Sequence, residues 1–314
     1  RLRYRYLPGD PPTAPHAGWS GQIELHEIRF PLPGLAEALR VETAQAHIQG
    51  ERVVLRDMRL HAGDVSATGE YRYDPQLLRP HRFRLRIPEA EAAELERLFS
   101  PTLHRRGGLL ARAFNIGRAP VPRWLATRRA EGSIEIDSLL LAGAQVEDIA
   151  ARLSWDGTRA RLERVSARLH DGTISGVLTV NLRGAKPAYL LAGRIRTLSC
   201  RSGKLDAEGV LETSGVGEEL FANLRSAGTF SGRALELGSV PLKSVAGVYR
   251  LSWAQPEPRL HFSNLELAAG EETFTGGGAT QDNGELLIQL SGGGREVRMS
   301  GTLAKLHMDE TAMP

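Results

Sequence analysis

The sequence predicts a mainly β protein, a long curled antiparallel sheet that forms an open β-groove from repeated strand units, with short amphipathic helices inserted between units. Strands with alternating apolar residues recur along the 314 residues. The 34 glycines and the low aromatic fraction of 6% favour short strands and turns over helix bundles. The pattern contains about seventeen candidate strands, and at about 4.8 Å each they would span about 80 Å, so the sheet must curl.

Three stretches, 41–73, 146–180 and 242–280, share one order of elements. Each has an alternating strand, a turn, a second alternating strand, a tight turn that contains glycine, and a third strand with a glycine in its middle. A shorter echo covers 297–303. This self-similarity predicts a repeating architecture, and chance likeness among amphipathic strands is the alternative. The mid-strand glycines are Gly69, Gly176 and Gly276.

The second strand of each repeat has an irregularity in its apolar alternation. The series shifts by one residue at Arg164, between Leu55 and Met58, and between Phe262 and Leu265. A one-residue shift is typical of a β-bulge, which bends and twists a strand. Short links rich in Gly, Asn and Asp separate the strands and predict an antiparallel meander.

Two interruptions divide the strand pattern. Residues 89–102 have the apolar spacing of an amphipathic helix, and 217–224 predict one or two further helical turns. We therefore expect a first β-groove segment at 1–88, a helical basic insert at 89–130 and a second β-groove segment at 131–314, with one continuous sheet throughout.

The chain lacks the residue patterns of most function classes. It has no nucleophile elbow, phosphate-binding loop or dinucleotide fingerprint, and its nine histidines form no HxH or HxxxH pair. A net charge of +3 is too weak to indicate nucleic acid. We expect no enzyme, no cofactor and no metal site. The single cysteine, Cys200, is predicted to be a buried or half-buried apolar residue.

Part of the chain resembles the C-terminal region of AsmA-like proteins. The resemblance is carried by Pro122, Arg123, Trp124 and Leu125, and by four stretches: GSIEIDSLLLAGAQVEDIAARLSWDG (132–157), ARLERVSARLHDGTISGVLTVNL (160–182), PAYLLAGRI (187–195) and ELFANLRSAGTF (219–230). It implies a periplasm-facing protein held in the bacterial inner membrane by an N-terminal helix. That helix lies outside this sequence, which begins at Arg1 and reads as a piece of a longer chain. The family also resembles bridge-like lipid-transfer proteins, whose open curled sheet has an apolar concave face.

Small residues and glycines share the apolar side of several strands. They leave room for an acyl chain or permit sharp bending, whereas a dry packed core is the alternative. The predicted lipid-groove residues are Val65, Ala67, Gly69, Tyr71, Val165, Ala167, Leu169, Ile174, Gly176, Leu178, Val180, Phe262, Leu265, Leu267, Phe274, Gly276, Val297, Met299 and Gly301.

The insert is strongly basic. Residues 97–130 contain eight arginines and no acidic residue, with apolar residues between them. Such a segment suits anionic lipid headgroups or a membrane surface, and a solvated face with salt bridges is the alternative. The headgroup candidates are Arg105, Arg106, Arg112, Arg123, Trp124, Arg128 and Arg129.

These expectations combine into one functional hypothesis. A periplasmic AsmA-like protein would bind lipid acyl chains in its groove and support phospholipid transport between the inner and outer membranes, and so outer-membrane biogenesis. Its partners would be phospholipid or another acyl lipid, the membrane through the anchor, and envelope proteins, with no nucleic acid. The alternative is a non-enzymatic structural or interaction scaffold of the envelope with a packed core.

Overall fold

The computed structural model describes residues 2–5, 18–104, 121–200, 203–237, 240–254, 257–302 and 305–312. The chain divides into two compact units. Unit 1 contains Arg1–Ala167 and Thr179–Pro187, and unit 2 contains Arg168–Leu178 and Ala188–Pro314. The prediction of a mainly β protein with one open sheet and a few short helices is confirmed.

The described residues form nineteen strands and four short helices. The strands are β1 (Leu2–Arg5), β2 (Gly18–Phe30), β3 (Leu39–Gln49), β4 (Arg52–Ala62), β5 (Val65–Tyr73), β6 (His81–Glu91), β7 (Arg129–Leu141), β8 (Ala144–Asp156), β9 (Arg159–Leu169), β10 (Gly172–Asn181), β11 (Ala188–Cys200), β12 (Gly203–Ser214), β13 (Arg225–Leu237), β14 (Val240–Ala254), β15 (Glu257–Ala269), β16 (Glu272–Thr280), β17 (Leu286–Gly292), β18 (Arg295–Thr302) and β19 (Lys305–Ala312). The helices are α1 (Ala92–Leu98), α2 (Ser100–Leu103), α3 (Arg123–Ala126) and α4 (Glu218–Ala222).

Consecutive strands are neighbours in the ladders. The pairs from β1 to β6, from β7 to β8 and from β11 to β19 are antiparallel. The pair β6–β7 is parallel, which departs from the predicted meander. The cause is the connection, because 92–128 is long enough for a crossover, whereas a short hairpin link forces antiparallel pairing.

The predicted β-bulges are confirmed. Asp57, Arg164 and Asn264 have positive φ angles of 49°, 52° and 51°. The ladder register shifts between Leu55 and Met58, and between Phe262 and Leu265. A non-glycine residue in this left-handed region is unfavourable by about 1 kcal/mol or more, so the surrounding ladder must hold it. The same conformation occurs within strands at Glu27, Asp148, Thr197 and Ala234.

The mid-strand glycines of the three repeats are required by close approach of the next strand. A Cβ on Gly69 would lie 2.0 Å from the carbonyl oxygen of Arg84, and one on Gly276 would lie 2.0 Å from that of Gln289. The corresponding distance at Gly176 is 2.5 Å, to the carbonyl oxygen of Ala192. The sequence allows two roles for these residues, room for an acyl chain or sharp bending, and the structure shows close approach of the neighbouring strand at all three.

The predicted helix at 89–102 is displaced. β6 continues to Glu91, and the helical part is split into α1 and α2, with Pro101 near the start of α2. The shorter prediction at 217–224 is confirmed as α4. The expectation for Cys200 is wrong, because its side chain is exposed at the end of β11.

The helices of unit 1 cover one end of its sheet. Leu98 of α1 packs against buried Ala62 and Val65. The Thr102 hydroxyl donates a hydrogen bond of 2.7 Å to the carbonyl of Gly34, and the Ala36 N–H donates one of 2.8 Å to the carbonyl of Leu98. These contacts hold the β2–β3 loop and the two helices together, so the chain itself shields this part of the apolar face.

Candidate lipid-binding face

Unit 2 has one apolar and one polar face, since residues alternate sides along each strand. On the apolar face, Leu191 of β11 is the cross-strand partner of Leu211 of β12. Further along, Leu265 is paired with Gly276, and Leu267 is paired with Phe274. The two groups of residues differ sharply in solvent exposure, which divides the face into a closed section and a half-exposed section.

The closed section is a packed core between β14 and β18. Its side chains are at most 8% exposed, and Phe230, Val245, Phe262 and Ala269 pack against its edge. No acyl chain can reach these side chains without displacing protein atoms. The core consists of Leu242, Leu265, Leu267, Phe274, Leu286, Ile288, Leu290, Val297 and Met299.

The half-exposed section lies on β10–β13. Its large apolar side chains are all only half-buried, which contrasts with the closed core in the same unit. An aromatic cluster marks the boundary: the ring centroids of Phe230 and Phe262 are 5.7 Å apart, and those of Phe230 and Tyr249 are 6.4 Å apart. The section contains Ile174, Leu178, Leu191, Ile195, Leu198, Leu205, Leu211 and Phe230.

A row of glycines crosses the half-exposed section at right angles to the strands. Gly209 is the direct partner of both Gly193 and Gly228, and a Cβ on Gly176 would lie 2.9 Å from the Cα of Gly193. Four consecutive strands therefore have no side chain along this line, a distance of about 14 Å. Tyr249 is the next partner in the row and closes it, with its hydroxyl oxygen 3.2 Å from the Ser226 hydroxyl.

The predicted groove residues fall into three groups by exposure. The buried ones, which the protein's own side chains cover, are Val65, Ala67, Leu265, Leu267, Phe274, Val297 and Met299. The half-buried ones are Gly69, Tyr71, Val165, Ala167, Leu169, Ile174, Gly176, Leu178, Val180, Phe262 and Gly301, and Gly276 is exposed. Among the predicted residues of unit 2, Ile174, Gly176 and Leu178 belong to the half-exposed section.

Sequence reasoning missed most of that section. Leu191, Ile195, Leu205, Leu211 and Phe230 were not among the predicted groove residues. Alternation in 187–195 and 203–211 is a usable signal for four of them, since every second residue there is apolar or glycine. The glycine row had no such signal, because it depends on the register of four separate strands.

Among the predicted headgroup arginines that the structure describes, Arg128 is held by aromatic and hydrogen-bond contacts. Its guanidinium lies between two indole rings, 5.2 Å from the centroid of Trp124 and 5.3 Å from that of Trp155. It also donates a hydrogen bond of 2.8 Å to the carbonyl of Pro33, and burial lowers its pKa. Arg128 thus connects α3 to β8 and to the β2–β3 loop within unit 1. Arg123 and Arg129 are exposed, while Arg105, Arg106 and Arg112 lie outside the described residues.

A half-buried polar pair, Tyr71 and His81, lies within electrostatic reach of Arg128. The Tyr71 hydroxyl and His81 Nδ1 share a hydrogen bond of 2.7 Å, and the Tyr73 ring lies 5.3 Å from the His81 ring. Burial, and then the charge of Tyr73, raise the pKa of Tyr71. Burial, and then the positive charge of Arg128, lower the pKa of His81 below its usual 6.5. His81 is therefore neutral in the folded protein at neutral pH.

We expect unit 1 to lose stability as the pH falls below about 6.5. The unfolded chain protonates His81 before the folded chain does, so its contribution is complete above the unfolded pKa and declines towards the lower folded pKa. The His81→Gln variant keeps a side chain that can bond to Tyr71 but removes this titration. Urea midpoints measured from pH 8 to 5 should show a smaller pH dependence in the variant; equal slopes would contradict the assignment.

The described residues contain no group of three or more His, Cys, Asp or Glu side chains that could hold a metal ion. One hydrogen-bonded line connects Ser66 to His61 Nδ1 at 2.9 Å and His61 Nε2 to Glu42 at 3.0 Å. It joins β3, β4 and β5 and fixes the His61 ring.

In the part of the chain that the structure covers, no helix has the length and apolarity to cross a membrane.

Comparison with known proteins returned no relative: no family model, no curated protein and no solved structure matches this chain.

Proposed function

We propose that this protein is a non-enzymatic lipid-binding protein of the bacterial envelope, of the AsmA-like kind, and that it binds acyl chains on the half-exposed section of unit 2. One observation carries the proposal. Large apolar side chains on β10–β13 are only half-buried, although the same face is sealed into a core on β14–β18. The protein thus covers the apolar face of the closed section with its own side chains but leaves that of the half-exposed section accessible to a ligand.

The chemistry of the section fits hydrocarbon. Leu178, Leu191 and Leu211 lie on one side of the glycine row, and Ile174 and Ile195 lie on the other. Burial of an acyl chain there would contribute about 0.8 kcal/mol for each methylene removed from water. The Tyr249 hydroxyl lies 3.0 Å from the Cβ position of Gly209 and so occupies part of the row; the space for an acyl chain to lie close to the backbone is at Gly176 and Gly193. The periplasmic location, the inner-membrane anchor and a role in phospholipid transport to the outer membrane are proposed from the resemblance in 132–230.

The test compares the two faces of β11 and β12. Leu191→Asp and Leu211→Asp place a charge on the apolar face, whereas Leu190→Asp and Val210→Asp place it on the opposite face, where both residues are 41% exposed. We expect the detergent-free protein to retain phospholipid in native mass spectrometry and solvent extraction. The first pair should reduce bound lipid at least tenfold, and the second pair should leave it unchanged.

Folding is checked by circular dichroism and thermal melting of all four variants. Photo-crosslinking residues at 191 and 211 should label the acyl chain, and those at 190 and 210 should not. A wild-type protein that is consistently free of lipid, or equal loss of lipid from both faces, would contradict the proposal.

The closed core of unit 2 supports a second candidate, a structural or interaction scaffold of the envelope. Its nine buried apolar side chains pack as an ordinary protein interior. A scaffold predicts a stoichiometric protein partner in crosslinked envelopes and no acyl signal in the extracts. The same mass spectra therefore separate the two functions.

A further inference from the structure

The polar face of unit 1 contains a depression that the lipid proposal does not use. It is a cavity of about 530 Å³ between β5 and β9. Ser133 and Ala150 have short side chains and form its floor, and long Arg and Glu side chains surround them. This contrast in side-chain length produces a recess on an otherwise regular sheet surface.

Three arginines approach this floor from different strands. Arg84 of β6 and Arg152 of β8 are the direct cross-strand partners of Ser133, so they stand on either side of its hydroxyl, about 10 Å apart at the Cα atoms. Arg164 comes from β9, where its φ of 52° marks the bulge. A bulge redirects the side chain that it contains.

The three guanidinium groups form no ion pair in the described residues, although Glu70 and Glu135 line the same depression. Over the described ranges, no carboxylate oxygen lies within 4.0 Å of Arg84, Arg152 or Arg164. Neighbouring arginines of the same face are paired, since Arg82 is 2.8 Å from Glu131 and Arg86 is 3.0 Å from Asp137. Like charges around one recess repel one another, and a bound anion would relieve that repulsion.

We propose that this depression binds a phosphate group, held by Arg84, Arg152 and Arg164 with the Ser133 hydroxyl as a further donor. Arginine presents paired N–H groups that match phosphate oxygens, and charge-assisted bonds of this kind are the strong ones. Glu70 and Glu135 also line the cavity and oppose an anion. Glu70 is the cross-strand partner of Arg84 and therefore competes for it.

The first experiment titrates the full chain with inorganic phosphate by calorimetry. Arg84→Gln, Arg152→Gln and Arg164→Gln should each weaken phosphate about threefold to tenfold. Glu70→Gln should tighten it. Arg59→Gln, on the same face of β4 but outside the depression, is the matched control and should leave the affinity unchanged. Acetate should bind more weakly than phosphate, because it offers fewer oxygens and less charge.

The second experiment identifies the source of the phosphate. Glycerol 3-phosphate represents a free ester, and vesicles of phosphatidylcholine alone or mixed equally with phosphatidylglycerol represent a lipid headgroup. Selective loss of either ligand in the three arginine variants supports the site and names its source. No saturable binding of phosphate, ester or vesicles, or an equal loss with Arg59→Gln, would overturn the proposal. Thermal melting of each variant verifies that it is folded.

Discussion

The Leu267→Asp variant is expected to lose at least about 4 kcal/mol of unfolding free energy, a large fraction of the stability of a typical folded protein. Leu267 is 5% exposed and is paired with Phe274 on one side and Val245 on the other. Aspartate there would place an unpaired charge in an apolar core and leave part of the leucine volume empty. Urea denaturation followed by circular dichroism measures the loss.

Leu178→Asp is the matched comparison for that prediction. Leu178 is also on the apolar face of unit 2 but is only half-buried, so its carboxylate can reach water. We expect a loss of about 1 kcal/mol in this variant and a cooperative transition like that of the wild type. If Leu267→Asp kept the wild-type midpoint, or if the two variants unfolded alike, the division into a closed and a half-exposed section would be wrong.

Substitution of the mid-strand glycines should have the next largest effect. Gly276→Ala puts a Cβ about 2.0 Å from the carbonyl oxygen of Gln289, so β16 and β17 must separate or lose hydrogen bonds. We expect a loss of about 3 kcal/mol or more in unfolding free energy. Gly69→Ala in unit 1 should behave alike, because its Cβ would lie 2.0 Å from the carbonyl oxygen of Arg84.

Gly270 provides a control in the same hairpin. It has a φ of +61°, and a Cβ there would meet no atom within 4 Å. Gly270→Asn should therefore change stability by less than about 1 kcal/mol, since asparagine tolerates the left-handed region. Hydrogen exchange on β16 and β17 distinguishes a local opening from global unfolding. A Gly276→Ala variant as stable as Gly270→Asn would show that the strands do not approach so closely.

The different surroundings of these positions on the apolar face of unit 2 explain why the effects differ in kind. A charge at Leu267 acts through desolvation, a methyl group at Gly276 acts through steric contact with backbone, and a charge at Leu191 acts on a bound lipid. Each substitution is a single residue on the same sheet. Their different outcomes follow from how much protein covers each position, and that coverage changes between β13 and β15.

The sequence by itself determined the local features of this protein. Asp57, Arg164 and Asn264 lie where the apolar alternation slips, and α4 lies where a helical spacing interrupts it. These predictions succeeded because alternation, bulges and turns depend on residues within a few positions of one another. The repeated position of glycine at 69, 176 and 276 is also visible in the sequence, whereas the close strand approach that requires glycine there is not.

The tertiary structure alone decided the rest. The parallel pairing of β6 with β7, the glycine row, the arginines around Ser133 and the sealing of Leu265 and Leu267 all join residues far apart in sequence. Leu178 and Leu267 have the same pattern around them, yet one is half-exposed and the other is buried. The physical reason is that exposure depends on which strands lie opposite and in what register, and period-two alternation contains no information about either.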